Sequence, residues 1–377
     1  MVDFSTSTEE LTLLKGIREA ASQLPTHGMH DSPSRAGWGQ LGEMGLLGGC
    51  IPEEYGGAGW SAQGTARAYE AAGETSPNLG LVFGGAAHLL ACVTPVLHHG
   101  SEQLRSELLP GMSAGRVIGA NAITEAGAGS DVGALQTTAT RVDGGYVLNG
   151  VKSFVSNAPI ADVFVTYAVT DANAGSLGRT AFVVPRESFG TSVGPVFVKS
   201  GLEGCAAAEV QFDDSFVPDS HVLGVPGMGG RIFQQSMLWE RTCLFGIYIG
   251  LQQKILNHTV GHVRNRRQFG QRLSGFQAVK HQIADMKIRL ESARLLLYRA
   301  SWGIDNEDGA ELFSSLSKLA VSESAVASAG MASQLFGGLG YMRDAEVERA
   351  LRDASASTVF SGTSNIQRDL VAAGLGL

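Results

Sequence analysis

The run MLWERTCLFGIYIGLQQ (residues 237–253) carries only two charges, Glu240 and Arg241, and no other charged residue lies between Arg231 and Lys254. It has no proline and two glycines, Gly246 and Gly250, and it is long enough for about four helical turns. Apolar side chains fall on nearly every side of such a helix, so it is expected to be buried all round. A carboxylate there is desolvated, and its pKa rises unless a cation or hydrogen bonds hold it ionised. Glu240 is therefore a candidate general base. The alternative is a structural Glu240–Arg241 pair at a helix start.

Beyond this run, helical spacing continues through residues 255–266, 276–302, 311–330, 345–353 and 364–377. Before it the pattern is different. Residues 116–223 hold strand-like segments: VIGANAIT, then two strands joined at Asp143-Gly144-Gly145, a hairpin signal. ADVFVTYAVT, TAFVVPR and AEVQFDDSFVP follow, alternating or running apolar with β-branched residues. Earlier still, helices are expected over residues 38–47, 61–74, 80–98 and 101–109, the last stopped at Pro110-Gly111, with Ser7 capping one near the N-terminus. The order is helical (1–115), β (116–226) and helical (227–377), an α+β chain.

The 377 residues allow two or three domains, and 44% hydrophobic with 17% charged residues suits an ample core. A net charge of -8 argues against nucleic-acid binding. Cys50, Cys92, Cys205 and Cys243 are scattered without CxxC spacing, so neither a metal site nor a disulfide framework is expected. The first residues lack a signal-peptide pattern, and no stretch reads as a membrane span. A cytoplasmic protein is the expectation.

Three further segments are candidates for ligand binding. NAITEAGAGSDVGA (121–134) follows a strand with three glycines and two short hydroxyl residues, and could present N–H groups to an oxygen-rich ligand or be a simple turn. RNRRQFGQ (264–271) is either a basic surface or an anion clamp. FSGTSNIQ (360–367) places hydroxyls before a helix.

Together these segments resemble the flavin-dependent acyl-CoA dehydrogenase family over essentially the whole chain. AITEAGAGSDVGA matches the family's first signature, and QLFGGLGYMRDAEVERALRD (334–353) the second, with Gln334, Gly337, Gly338, Gly340, Asp344, Arg349 and Asp353 in register. IPEEYGGAG, RRQFGQ and GTSNIQR match as well. The resemblance implies an N-terminal helical domain, a middle β-barrel-like domain and a C-terminal four-helix bundle. It implies FAD held by Asn121, Ala122, Ile123, Thr124, Gly129, Ser130, Phe154 and Ser156, with Thr363 and Asn365 completing the site. Arg266, Phe269, Gln334, Gly337 and Gly338 would meet its pyrophosphate and adenosine from a neighbouring subunit of a homotetramer or homodimer.

The chain departs from the common pattern at one position. Most family members carry glutamate just before Gly-Thr in the last motif, where it is the base; here the residue is Ser361. A minority branch, including isovaleryl-type enzymes, carries the base on the helix opening the bundle, directly before arginine. Glu240, followed by Arg241, occupies that place, and Ser361 is expected to matter far less. Ser130, Arg241, Leu244 and Tyr248 are candidate substrate contacts, with Gly246 and Leu89 further guesses. The subgroup most resembled acts on carrier-protein-bound acyl groups, as in prolyl-carrier-protein dehydrogenases, which make a pyrrole-2-carboxyl thioester. A short- or branched-chain acyl-CoA substrate, and an oxidase or monooxygenase on the same scaffold, are the alternatives. Either an electron-transfer flavoprotein or dioxygen fits as acceptor.

Overall fold

The computed structural model describes residues 4–26, 28, 31–343 and 345–377, so Asp344 lies outside the described residues. The N-terminal helices are α1 (Thr8–Ala21), α2 (Trp38–Glu43), α3 (Ala62–Thr75), α4 (Leu79–His88), α5 (Thr94–His99) and α6 (Glu102–Ser113). Side-chain oxygens of Ser7, Ser61, Asn78 and Ser101 accept a backbone N–H at the starts of α1, α3, α4 and α6. Pro110 does not stop α6, which runs on to Ser113. Only the Ser106 carbonyl loses its helical partner there, and Ser106 is exposed to water.

Residues 79–99 are long and apolar enough to cross a membrane, but 94% of their most apolar 18-residue window is buried inside the protein. The segment is a core element. It also contains a π-helical turn, Leu89–Val93, between α4 and α5.

Among the described residues ten strands follow in chain order: β1 (Gly119–Ala122), β2 (Thr138–Val142), β3 (Gly145–Ser156), β4 (Val163–Val169), β5 (Arg179–Pro185), β6 (Thr191–Val193), β7 (Ala207–Pro218), β8 (Val222–Leu223), and the short ribbon of β9 (Arg267–Gln268) and β10 (Gln271–Arg272). The main sheet runs β6-β7-β3-β2-β4-β5-β8, with β1 added in parallel to β4. The path has free ends at β6 and β8, so the barrel-like unit is not closed. β4 is buried on both faces, which accounts for its nearly continuous apolar sequence. Val163, Val165 and Tyr167 face the helical core, while Phe164 and Ala168 enter a second core within the β unit.

The C-terminal helices are α7 (Gly229–Trp239), α8 (Gly246–Asn265), α9 (Gln277–Asp305), α10 (Ala310–Phe336), α11 (Glu346–Ala356) and α12 (Ser364–Gly374). Residues 237–253 do not form one regular helix. They comprise the end of α7, a π-helical turn at Glu240–Leu244, and the start of α8. α8 lies hard against α3: a Cβ on Gly246 would sit 2.3 Å from the Ala66 carbonyl oxygen, and one on Gly250 2.2 Å from that of Glu70. Only glycine permits so close a crossing.

Candidate active site

The glycine-rich loop after β1 is pinned by a buried ion pair. Lys152, in β3, is fully buried and its Nζ donates to Glu125 Oε1 (2.8 Å), to the Tyr167 carbonyl (2.8 Å) and to the Ile123 carbonyl (3.2 Å). Glu125 also accepts from the Gln136 N–H (2.7 Å), the Thr137 N–H (3.0 Å) and the Thr137 hydroxyl (2.6 Å). Burial pushes the Glu125 carboxyl up, but the bonds from Lys152, Thr137 and Gln136 outweigh it and hold the group at about 2. Burial lowers the Lys152 ammonium to about 8 against the opposing pull of Glu125.

Phe154 is re-aimed by a bulge. The β3–β7 register shifts between Lys152 and Val155, and Phe154 takes a positive φ of 56°. Its ring is 66% exposed and lies 5.3 Å from that of Phe197, rather than in the core.

Loop and bulge form one wall of a cavity of about 500 Å³, with Asn121, Ile123, Thr124, Gly129, Ser130, Phe154 and Ser156 along it. Opposite stand Met237, Glu240, Arg241, Phe360, Ser361 and Thr363. Glu240 is 8% exposed. Burial raises its carboxyl above the ordinary range, opposed by a hydrogen bond from Ser361 and by the charge of Arg241. The described residues contain no Glu240–Arg241 ion pair. Instead the Ser361 hydroxyl donates to Glu240 Oε1, and Arg241 Nε donates to the Ser361 carbonyl (3.0 Å).

Leu244 and Tyr248 do not line this cavity. Both are fully buried, and the Tyr248 hydroxyl donates to the Asp353 carbonyl (3.2 Å). The extra residue of the π turn moves that face of the helix away from the cavity. Gly246 is spent on α3, and Leu89 lies in the core. Ala122 is buried in β1 behind the wall, and Asn365 is exposed outside it. Gln234 and Met237 line the cavity but were not foreseen. Met237, three residues before Glu240, falls on its helix face, a signal present in the sequence; Gln234, six before, lies about 120° round and carried none.

Arg266 is elsewhere, in a cavity of about 790 Å³ with His258, His262 and Leu339, where His262 stacks on Phe336 at 4.0 Å. Phe269, 93% exposed, sits on the turn between β9 and β10. Gln334, Gly337 and Gly338 are exposed at the end of α10. The chain does not bring these five residues to the first cavity.

The wall residues suit a flat, polar-edged ring system. Asn121 Oδ1 is buried there without a hydrogen-bond partner, an acceptor positioned for a ligand N–H. The cavity volume is in the range of small-molecule and cofactor sites.

Three family models match in series: acyl-CoA dehydrogenase N-terminal domain over residues 12–116, middle domain over 120–215 and C-terminal domain over 227–376. An L-prolyl-[peptidyl-carrier protein] dehydrogenase of Pseudomonas fluorescens is 48% identical over 341 residues, covering 90% of both chains. The mitochondrial isovaleryl-CoA dehydrogenase of Solanum tuberosum is 35% identical over 339 residues, 89% of this chain and 81% of its own. Among solved structures, PigA with FAD and proline matches with a TM-score of 0.96 at 38% identity, covering 100% of this chain and 99% of the other. The prolyl acyl carrier protein oxidase AnaB matches at 0.96 and 34% identity, covering 99% and 100%.

Proposed function

The chain belongs to the acyl-CoA dehydrogenase family, and we propose that it is an FAD-dependent dehydrogenase of a carrier-protein-bound prolyl thioester, forming the pyrrole-2-carboxyl thioester. The observation that carries the reading is the Glu240 carboxylate, buried in an otherwise largely apolar cavity facing the glycine-rich loop. Likeness at 48% identity to a prolyl-carrier-protein dehydrogenase supports the choice of substrate.

In this reading Asn121, Ile123, Thr124, Gly129, Ser130, Phe154 and Ser156 hold the flavin ring and its side chain, with Thr363 lining the same cavity. Arg266, Phe269, Gln334, Gly337 and Gly338 serve the FAD of a neighbouring copy in a homodimer or homotetramer, which gives their surface positions a purpose. Bound FAD supplies a hydride acceptor. Glu240 removes the substrate's α-proton, and its burial keeps it a stronger base than an exposed carboxylate. Arg241 and Ser130 line the substrate's side of the cavity. Met237 and Phe360 add apolar surface to the cavity wall, which disfavours water beside the reacting atoms. Proline to pyrrole loses four hydrogens, so two rounds of two-electron oxidation are needed. Reoxidation falls to an electron-transfer flavoprotein or to dioxygen, which oxygen consumption during turnover distinguishes.

A third cavity of about 590 Å³ shares Ile123, Val132, Phe233 and Gln234 with the first and is also lined by Leu177, Arg179 and Arg231. It offers a tethered arm a way in, with cations in its lining for the arm's phosphodiester.

The test is anaerobic titration of the purified holoprotein while following flavin absorbance. Prolyl-carrier protein should bleach it and isovaleryl-CoA should not; the reverse result selects a branched-chain acyl-CoA substrate and overturns this one. Glu240→Gln should keep the flavin and slow bleaching by about 10²–10⁴-fold. Undiminished reduction by that variant removes Glu240 from the chemistry.

A further inference from the structure

Ser361 sits where three elements meet. Its hydroxyl donates to Glu240 Oε1. Its carbonyl accepts from Arg241 Nε (3.0 Å) and from Gln367 Nε2 (3.1 Å), and the same Gln367 nitrogen reaches the Gly362 carbonyl (3.2 Å). The residue is held at a φ of 55°, a left-handed conformation that serine seldom adopts, and Gly362 follows at 91°. Phe360, just before it, is wedged among Phe83, Phe245 and Tyr248, with ring centroids 4.9, 5.5 and 6.1 Å away. Ser361 is thus fixed from both sides, at a local backbone cost, with its hydroxyl turned onto one carboxylate oxygen.

We propose that Ser361 is a positioning residue for the base: its donated hydrogen bond fixes the Glu240 carboxylate in the orientation that faces the cavity and favours its ionised state. One carboxylate oxygen is occupied by the hydroxyl, and the other is left for the substrate proton. The proposal rests on Glu240 being the base.

The other titratable groups facing Glu240 are Arg241, next to it, Cys92 from the π turn between α4 and α5, and Tyr167 from β4. Burial pushes both the Cys92 thiol and the Tyr167 phenol up, so both are neutral across the working pH range. Lys318 of α10 faces Arg241 rather than the carboxylate. Of the neighbours, Ser361 and Arg241 alone favour the ionised form, and only Ser361 does so by direct contact. A bond donated to a carboxylate lowers its pKa, so removing it raises that of Glu240 further.

The experiment measures the rate of anaerobic flavin reduction at saturating substrate across pH, in wild type, Ser361→Ala and Ser361→Gly. Alanine has the same Cβ as serine, and glycine adopts φ 55° without strain, so the glycine variant keeps the local fold. Flavin content reports that fold independently. The rising limb of the profile should move up by about one pH unit in both variants. Below that limb, reduction should slow about tenfold, and at high pH the rate should return towards wild type. A profile that stays in place, at full rate or uniformly scaled down, overturns the proposal, because lost packing alone does not move the limb. Should Glu240→Gln reduce flavin at the wild-type rate, the assignment of the base fails instead. With Glu240→Gln inactive and the serine variants unshifted, only the positioning role fails.

Discussion

Lys152→Met removes the ammonium that pins the glycine-rich loop. Methionine fills nearly the same length, so the cavity left behind is small. What is lost is three hydrogen bonds from Nζ, to Glu125, Tyr167 and Ile123. The Glu125 carboxylate remains buried beside Thr137 and the Gln136 N–H, without its countercharge. Breaking one half of a buried pair costs about 3–5 kcal/mol. At about 2 °C per kcal/mol for a chain of this size, the apparent Tm should fall by roughly 6–10 °C. Flavin retention should fall with it, because Ile123 and Thr124 flank the freed carboxylate. Thermal unfolding of the holoprotein followed by circular dichroism, with flavin absorbance after desalting, measures both. The double variant Lys152→Met/Glu125→Gln removes the stranded charge, so its loss should be less than the sum of the two single losses by about 1–3 kcal/mol. Glu125 is held at about 2, below its ordinary value of 4.5. Its contribution is therefore complete above pH 4.5 and lost as pH falls towards 2. Glu125→Gln should flatten that acid limb. A Lys152→Met protein within 0.5 kcal/mol of wild type, or strictly additive single and double losses, refutes the reasoning.

Other outcomes follow from local packing and burial. Gly246→Ala drives a methyl to 2.3 Å from the Ala66 carbonyl oxygen and should cost about 1–3 kcal/mol in chemical denaturation. Gly16→Ala, in α1 with no atom within 4 Å of the new methyl, should instead stabilise by about 0.5–1 kcal/mol. Burial raises the Asp353 carboxyl from 3.8 to about 6. Its stabilising contribution is present below pH 3.8 and lost as pH rises through 6. Asp353→Asn keeps an acceptor for the Leu202 N–H and should abolish that loss, as unfolding midpoints at pH 4 and pH 7 will register.

The helix–strand–helix order was legible because hydrophobic period changes at the two junctions, and the Asp143-Gly144-Gly145 signal gives a turn at Asp143-Gly144 that joins β2 to Gly145 at the start of β3. The isolated carboxylate of Glu240 was legible too, since nothing else in that run competes for charge. Other features carry no local signature. A π turn has the composition of an α turn, so Leu244 and Tyr248 were assigned to the wrong face. The Phe154 bulge depends on β7, more than fifty residues away in sequence, which holds one residue where β3 holds two. The bond between Ser361 and Glu240 spans 121 residues. Ser361 was set aside because a hydroxyl makes a poor base, although one can still steer a better one.

The five-residue turn at Glu240–Leu244 has a bearing on how this chain can vary in length. One surplus residue puts α7 out of phase with α8 by about 100° relative to an uninterrupted rod. Five residues there turn through about the angle that four cover in an α-helix, so loss of one of them other than Glu240 lets the turn close as α while the glycines of α8 and the side chains from Gln234 to Glu240 keep their directions. The segment therefore tolerates the loss of one residue better than the regular turns on either side, where a deletion rotates one flank against the other by about 100°.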